Sequence, residues 1–233
     1  MKVIILAAGL GSRLGKLTRN NHKSLIKINE KSLLKRLIDQ YESIGITDIN
    51  IICGYQKKKI IKKFPNYKTF YFPYYKKYNN LHTLYYFKQL LNDDCIISFA
   101  DIILEKKILR NLSKSNKKIT LSVDTSTVRE GTMKIDIYKN KLLYLGNEPK
   151  IISGNYIGVM KIKKDVCKTL IKSMKNMINK SNNYYFTEAI NYIIKKNIHS
   201  VNYQDVKKKF WTEIDDIKDL LIAKEQLKKG KIN

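Results

Sequence analysis

The sequence is poor in proline and cysteine, and each shortage argues against a class of protein. Among its 233 residues there are three prolines and three cysteines. So few prolines argue against long ordered loops, and no proline- or serine-rich linker divides the chain. The cysteines, at positions 53, 95 and 167, are far apart and have no CxxC spacing. Reduced thiols are therefore expected rather than a disulfide framework or a zinc site.

Long apolar runs are also missing. The first ten residues, MKVIILAAGL, are apolar, but ten residues are too few to span a bilayer. They lack the charged leader and cleavage site of a secretion signal, and no other stretch approaches 18 apolar residues. These features predict a cytoplasmic protein without a membrane partner.

Arginine is scarce although the chain is strongly basic. Lys and Arg number 46 against 20 Asp and Glu, a net charge of +26, yet only five of the basic residues are arginine. Such a charge points to nucleic acid, an anionic membrane or phosphorylated small molecules as partners. Because base reading and bidentate phosphate recognition favour arginine, a scattered lysine excess is more typical of a solvated surface. A hydrophobic content of 43% excludes wholesale disorder.

Short apolar runs alternate with helical patterns along the first 125 residues. Strands are predicted at 3–8, 49–53, 67–72, 95–100 and 119–123, of which 3–8 and 95–100 are expected to be buried, and helices at 33–44, 57–64 and 81–91. This order predicts an α/β fold with a doubly wound, mostly parallel sheet. Later patterns predict a hairpin at 133–138 and 141–145, strands at 155–161 and 210–214, and helices at 165–179, up to about 196, and from about 216. We predict one domain over 1–233, with an accessory hairpin and helical region at 125–200.

A glycine-rich turn follows the first predicted strand. It reads Leu6-Ala-Ala-Gly9-Leu-Gly11-Ser-Arg13-Leu14, and it falls at the sheet edge where open α/β folds bind ligands. Glycines let the backbone approach a ligand and offer its N–H groups, while Arg13 and Lys23 supply positive charge. The turn therefore suits a polyphosphate. It is not a P-loop, because GxxxxGK[ST] is absent, and Leu14 stands where a dinucleotide fingerprint needs glycine.

The segment from Leu6 to Ile28 resembles the signature LAAGxGxRLxxxTxxxPKxLxxI of nucleotidyltransferases. These enzymes join a nucleoside triphosphate to a phosphorylated acceptor and release pyrophosphate. One position departs from the pattern: His22 stands where the family usually has proline. Further segments, at 78–85, 98–101 and 211–220, resemble the YNNxxSLY, strand-end Asp and EID…DL segments of the phosphocholine cytidylyltransferases. In the strand around Tyr156, Asn155 replaces the acid that is usual in the wider group.

The resemblance implies a Rossmann-like nucleotidyltransferase fold and a matching site. Arg13 and Lys23 would neutralise the triphosphate and the transition state as the catalytic residues. The predicted nucleotide-binding residues are Leu6, Ala7, Ala8, Gly9, Gly11, Ser12, Tyr55, Asn80 and Thr83. Asp101 directly follows a buried strand, and Glu213 and Asp215 share one strand face through their ExD spacing. Because Mg²⁺ takes oxygen ligands, these three acids are the predicted metal ligands, with Mg²⁺ as the cofactor.

The acceptor is expected to be a small phosphorylated molecule, with phosphocholine first and 2-aminoethylphosphonate or another head group next. Tyr156, Tyr185 and Glu188 are the predicted acceptor contacts, and the tyrosine clusters at 71–78, 85–86 and 184–186 could form a cage for a quaternary ammonium group. CTP is the expected nucleotide, and a homodimer is a possible assembly. Three alternatives stay open: a sugar-1-phosphate uridylyl- or guanylyltransferase, a basic nucleic-acid-binding module, and a regulatory protein that binds nucleotide without turnover. For the leading interpretation, a cytidylyltransferase, neither a membrane nor nucleic acid is expected as a partner.

Overall fold

The computed structural model describes residues 1–230 and 232, and its central element is a nine-stranded mixed sheet. The strands are β1 (Lys2–Ala7), β2 (Lys27–Ile28), β3 (Lys31–Ser32), β4 (Ile49–Cys53), β5 (Lys68–Tyr71), β6 (Cys95–Phe99), β7 (Ile102–Leu104), β8 (Ile119–Asp124), β9 (Lys134–Tyr138), β10 (Lys141–Gly146), β11 (Gly154–Ile162), β12 (Val201–Asp205) and β13 (Trp211–Glu213). The helices are α1 (Leu33–Glu42), α2 (Lys57–Lys63), α3 (Asn80–Tyr86), α4 (Lys106–Ser113), α5 (Lys164–Ile178), α6 (Thr187–Lys195) and α7 (Ile217–Lys228).

The parallel part of the sheet runs in the order β5-β4-β1-β6, and β11 then joins β6 in the antiparallel sense. β1 lies in the middle, because its run KVIILA is almost wholly buried and has no polar face. Such a run is typical of a strand covered on both sides. Ile4 and Leu6 pack into the core on one side of the sheet, and Val3 and Ile5 into the core on the other. The doubly wound α/β prediction is confirmed.

The 125–200 region contributes directly to this sheet. β9 and β10 form the predicted hairpin around Lys139 and Asn140, whose φ angles of 46° and 61° fit a tight primed turn. β11 pairs with β6, β8 and β9, and α5 and α6 pack against the same core. That residues 125–200 form an accessory region which binds the acceptor stays a prediction.

Several elements differ from the sequence-based expectations. The helix expected at 81–91 begins at Asn80, ends at Tyr86 and is followed by a 3-10 turn over Lys88–Leu90. Five strands and helices were not predicted: β2, β3, β7, α4 and β12. β7 has only three residues, and β12 has the polar sequence VNYQD, so neither carries a strong periodic signal. Within the described residues, no helix is long and apolar enough to cross a membrane.

Candidate active site

The glycine turn after β1 packs directly against Lys23. Gly11 has a φ of 64°, a conformation that strains any residue with a side chain, and a Cβ there would lie 2.8 Å from the Cβ of Lys23. The hydroxyl of Thr18 donates a hydrogen bond of 2.8 Å to the Gly11 carbonyl and closes the turn. Gly9 is different, because a Cβ there would meet nothing within 4 Å. Gly11 therefore shapes the loop, whereas Gly9 leaves space above it.

His22 fixes the short 3-10 turn that carries Lys23. Its Nδ1 accepts a hydrogen bond from the Ser24 backbone N–H at 3.1 Å and lies 2.8 Å from the Ser24 hydroxyl. The ring is 3% exposed, and its Nε2 has no hydrogen-bond partner among the described residues. Burial lowers the pKa of His22 to about 4, so the ring is neutral near pH 7. A capping side chain thus does here what proline does in the family pattern, which is to hold the turn before the lysine.

Lys23 makes two ion pairs with acids from distant parts of the chain. Its Nζ lies 2.8 Å from Oδ2 of Asp101 and 2.6 Å from Oδ1 of Asp215. Arg13 reaches the same Asp215 oxygen at 3.0 Å, although its side chain is 65% exposed. Burial alone would lower the pKa of Lys23, but the two carboxylates outweigh this effect and raise it above the ordinary value. Lys23 therefore stays charged.

The pairing of β13 with β7 brings the three predicted metal ligands together. Glu213 lies opposite Ile102, and the Ile214 N–H donates to the Asp101 carbonyl at 2.9 Å. One carboxylate oxygen from each of Asp101, Glu213 and Asp215 lies within 4.8 Å of the others. Burial, with the charges of Asp101 and Asp215, raises the pKa of Glu213 to about 8. Crowded carboxylates of this kind fit a hard divalent cation, which would relieve their mutual repulsion.

A cleft of about 500 Å³ opens at this edge of the sheet, a volume in the range of small-molecule sites. Most of the predicted site residues line it: Leu6, Ala7, Ala8, Gly9, Gly11, Ser12, Arg13, Lys23, Asn80, Thr83, Asp101, Tyr185, Glu213 and Asp215. They come from the ends of β1, β6 and β13, from the 3-10 turns over 12–17 and 23–25, from α3 and from the loop before α6. The Gly-rich turn, two cations and three acids thus share one cavity.

Three predicted residues lie elsewhere. The Tyr55 hydroxyl donates to the Arg19 carbonyl at 2.6 Å, outside the cleft lining. Tyr156 is 1% exposed and packs in the core, so the predicted acceptor contact is withdrawn for it. Glu188, on α6, is also outside the lining, and its carboxylate accepts a hydrogen bond of 3.4 Å from the Asn191 side chain. The predicted acceptor contact of Glu188 therefore stays a prediction.

The cleft also contains residues beyond the individually predicted site residues, and two of them, Tyr75 and Tyr78, belong to the predicted tyrosine clusters. These additional lining residues are Leu10, His22, Ser24, Tyr75, Lys76, Lys77, Tyr78, Asn79, Phe99, Ala100 and Asn183. Tyr75 reaches the cleft across Gly54, where a Cβ would lie 2.6 Å from both the Tyr75 Cβ and the Ala8 carbonyl. The tyrosine-rich run of 71–78 signalled this wall, but the role of Gly54 had no signal in the sequence.

The predicted aromatic cage is present only in part. Tyr75, Tyr78 and Tyr185 line the cleft. The Lys77 ammonium lies 5.1 Å from the centre of the Tyr78 ring, and the His82 ring stacks on Tyr78 at 4.3 Å. The chain's own groups therefore already contact a ring that would hold a quaternary ammonium.

Hydrogen bonds hold the 182–186 segment against α3, and this segment forms one wall of the cleft. Asn79 caps α3, and its backbone N–H donates to the Asn182 carbonyl at 2.9 Å. The Asn80 side-chain oxygen accepts from the Phe186 N–H at 2.8 Å. Asn80 thus joins the two walls of the cleft through one of its polar atoms.

Comparison with known proteins agrees with this geometry. Residues 3–129 match the family model described as the MobA-like NTP transferase domain, and the chain belongs to this family of nucleotidyltransferases. Over 113 residues the chain is 40% identical to a choline-phosphate cytidylyltransferase of Streptococcus pneumoniae, a match that covers 48% of this chain and 49% of that relative. A CTP:phosphoglutamine cytidylyltransferase of Campylobacter jejuni is 26% identical over 97% of this chain and 100% of its own length.

Solved structures share the fold over nearly the whole chain. The CTP:phosphocholine cytidylyltransferase of Streptococcus pneumoniae superposes with a TM-score of 0.79 at 25% identity, covering 97% of this chain and 98% of that one. An inositol-1-phosphate CTP transferase of T. maritima gives a TM-score of 0.82 at 17% identity, covering 98% and 95% of the two chains, which shows the fold alone. The Rossmann-like nucleotidyltransferase architecture is confirmed.

Proposed function

We propose that this protein transfers CMP from CTP to a small phosphorylated alcohol or amine and releases pyrophosphate. The observation that carries the proposal is the meeting of Lys23 and three acids beside the glycine turn, in a cleft of ligand size. The preference for CTP is supported by the names of the two relatives and of the solved structure that are cytidylyltransferases. Phosphocholine is the first acceptor to test.

The chemistry needs positioning and charge more than a base. A phosphate oxygen of the acceptor attacks the α-phosphorus of CTP, a new P–O bond forms, and the bond to the β-phosphate oxygen breaks with loss of pyrophosphate. Because the attacking oxygen is already anionic, the barrier comes from repulsion between two anions. Arg13 and Lys23 offset that repulsion, and the backbone of the Gly9–Gly11 turn approaches the phosphates.

Asp101, Glu213 and Asp215 would hold a Mg²⁺ ion, whose positive charge would stabilise the α-phosphate and the leaving pyrophosphate. A neutral His22 helps to position Lys23, since its hydrogen bond to the Ser24 N–H holds the turn that carries Lys23 without adding charge. The reaction therefore rests on two side-chain cations and one carboxylate cluster.

The buried Asn155 disfavours a sugar-1-phosphate acceptor. It is 0% exposed, its oxygen accepts from the Arg129 N–H at 3.0 Å, and its amide donates to the Thr127 carbonyl at 2.7 Å. It therefore fixes the backbone at 127–129 instead of presenting the acid that is usual at this position to a sugar. A homodimer and the exclusion of nucleic acid as a partner remain predictions of this proposal.

A pyrophosphate-release screen tests the proposal. Four nucleoside triphosphates are crossed with phosphocholine, phosphoethanolamine, 2-aminoethylphosphonate, phosphoglutamine and glucose 1-phosphate in the presence of Mg²⁺. Release is expected with CTP and one of the phosphorylated alcohols or amines. No release with any pair would contradict an enzyme function, and release only with UTP or GTP and the sugar phosphate would favour the alternative.

The variant Asp101→Ala tests the assignment of Asp101 as a metal ligand. It should remain folded, because Asp101 lies at the cleft rather than in the core, and lose Mg²⁺-dependent release. Turnover close to that of the wild type would contradict the assignment of Asp101 to the metal.

A further inference from the structure

We propose that Lys23 closes the acidic cluster to divalent cations until a nucleotide draws it away, so that metal and nucleotide bind together. The inference rests on the proposed function. The ammonium of Lys23 lies within hydrogen-bonding distance of two of the three clustered carboxylates, at 2.8 Å from Asp101 and 2.6 Å from Asp215. A metal ion that used the same oxygens would therefore compete directly with Lys23.

The surroundings make this competition strong. The side chains of Lys23, Asp215 and Asp101 are only 11%, 15% and 23% exposed, and partly buried pairs are screened less by water and salt than surface pairs. Arg13 adds a second cation on Asp215. Lys23 and Arg13 thus offset the charges of the two aspartates that they contact, and a free dication is attracted only weakly to the cluster.

Lys23 is placed so that its charge can move while its backbone does not. The first carbon of its side chain packs against Gly11, where an added Cβ would lie only 2.8 Å away, so the side chain starts beside the glycine turn. Lysine carries its charge on a flexible four-carbon stem. A triphosphate bound at the turn offers new anionic partners to the ammonium, and this exchange frees Asp101 and Asp215. Because binding linkage is reciprocal, nucleotide then favours metal and metal favours nucleotide.

The test measures Mn²⁺ binding without nucleotide, by isothermal titration calorimetry and by the electron paramagnetic resonance signal of free Mn²⁺. The variant Lys23→Met should bind Mn²⁺ more tightly than the wild type, by about tenfold, within the usual range of coupling between two sites. Arg13→Met should give a smaller gain, since Arg13 contacts only one acid and is mostly exposed. Lys27→Met removes the same charge from an exposed lysine that pairs with Glu30, and its Mn²⁺ affinity should equal that of the wild type.

The outcomes separate this inference from the proposed function. Equal or weaker Mn²⁺ binding by a folded Lys23→Met protein overturns the inference, even if the wild type turns over CTP. Tighter binding supports it, even if the wild type is inactive with every nucleotide, in which case only the proposed function fails. If Lys23→Met does not fold, Lys23→Gln, which keeps a hydrogen-bond donor but no charge, is measured in its place and judged by the same results. A larger rise of Tm on adding Mn²⁺ than in the wild type gives an independent readout.

Discussion

His22 should make the folded protein sensitive to acid. The folded ring takes up a proton only near pH 4, whereas a histidine in the unfolded chain does so near pH 6.5. Between these values the unfolded state therefore binds more protons, and the free energy of unfolding falls as the pH falls. At 1.36 kcal/mol per pH unit, this side chain alone costs roughly 2–3 kcal/mol of stability between pH 7.5 and 4.5.

Local contacts explain why the proton is excluded. The ring is buried, and its Nδ1 already accepts the hydrogen bond from the Ser24 N–H, so a proton on Nδ1 would remove that acceptor. The positive charge of Lys23 nearby acts in the same direction, while Asp101 opposes it. Burial is the largest of these effects.

Urea unfolding of the wild type and of His22→Asn at pH 7.5 and 4.5 measures this contribution. Asparagine can accept the same backbone hydrogen bond but does not titrate. Carboxylates that lose stability in acid are common to both proteins, so they cancel in the difference. The wild type should lose roughly 2–3 kcal/mol more than the variant between the two pH values. Equal losses in the two proteins would show that the buried neutral ring has been assigned wrongly.

Four further substitutions follow from the packing and from the charges of the site. Gly11→Ala should destabilise the fold by roughly 1–2 kcal/mol, because of its positive φ, and raise the KM for CTP by displacing Lys23. A Cβ at Gly9 would meet open space, so Gly9→Ala should unfold in urea like the wild type. If the two alanine variants lost equal stability, the close packing of Gly11 against Lys23 would be contradicted. Tyr156→Phe removes a buried hydroxyl without a partner among the described residues. It should change stability by less than about 1 kcal/mol and leave the acceptor KM unchanged, whereas a raised KM would restore Tyr156 as a contact. Because the pKa of Glu213 is raised to about 8, this carboxyl lowers the stability of the wild type as the pH rises from 4.5 to about 8. Glu213→Gln removes this effect, so the Tm of the variant should fall less than that of the wild type between pH 6 and pH 8. An equal fall in the two proteins would contradict the raised pKa.

The sequence predicts most of the parallel sheet and much of the cleft, because these features are local. The apolar runs of β1, β4 and β6 need burial on both faces, and the glycine turn must follow β1. Asp101 is recognisable as an acid that follows a buried strand. Its meeting with Asp215 is not local, since it depends on the pairing of three-residue β7 with β13. Only the resemblance to known enzymes suggested that these positions, more than a hundred residues apart, belong to one site.

The predicted acceptor contacts show where sequence reasoning fails. Tyr156 belongs to a segment similar to the family's pattern, but the pleat of β11 directs its side chain into the core, where it packs near Phe99. Tyr75 has no motif of its own, and it reaches the cleft because Gly54 leaves room beside Ala8. Whether a side chain faces a cleft or a core depends on packing between distant elements, which residue type alone does not encode.

The most direct test of the central claim is a ³¹P nuclear magnetic resonance measurement on the wild-type protein with CTP, Mg²⁺ and the acceptor that scores best in the screen. Attack of the acceptor phosphate on the α-phosphorus predicts a new phosphoric anhydride that joins acceptor and CMP. It should appear in equal amount with pyrophosphate, and both should be absent with Asp101→Ala. Formation of CMP and pyrophosphate without the new anhydride, or consumption of CTP that is unaffected by the Asp101 change, would contradict the account.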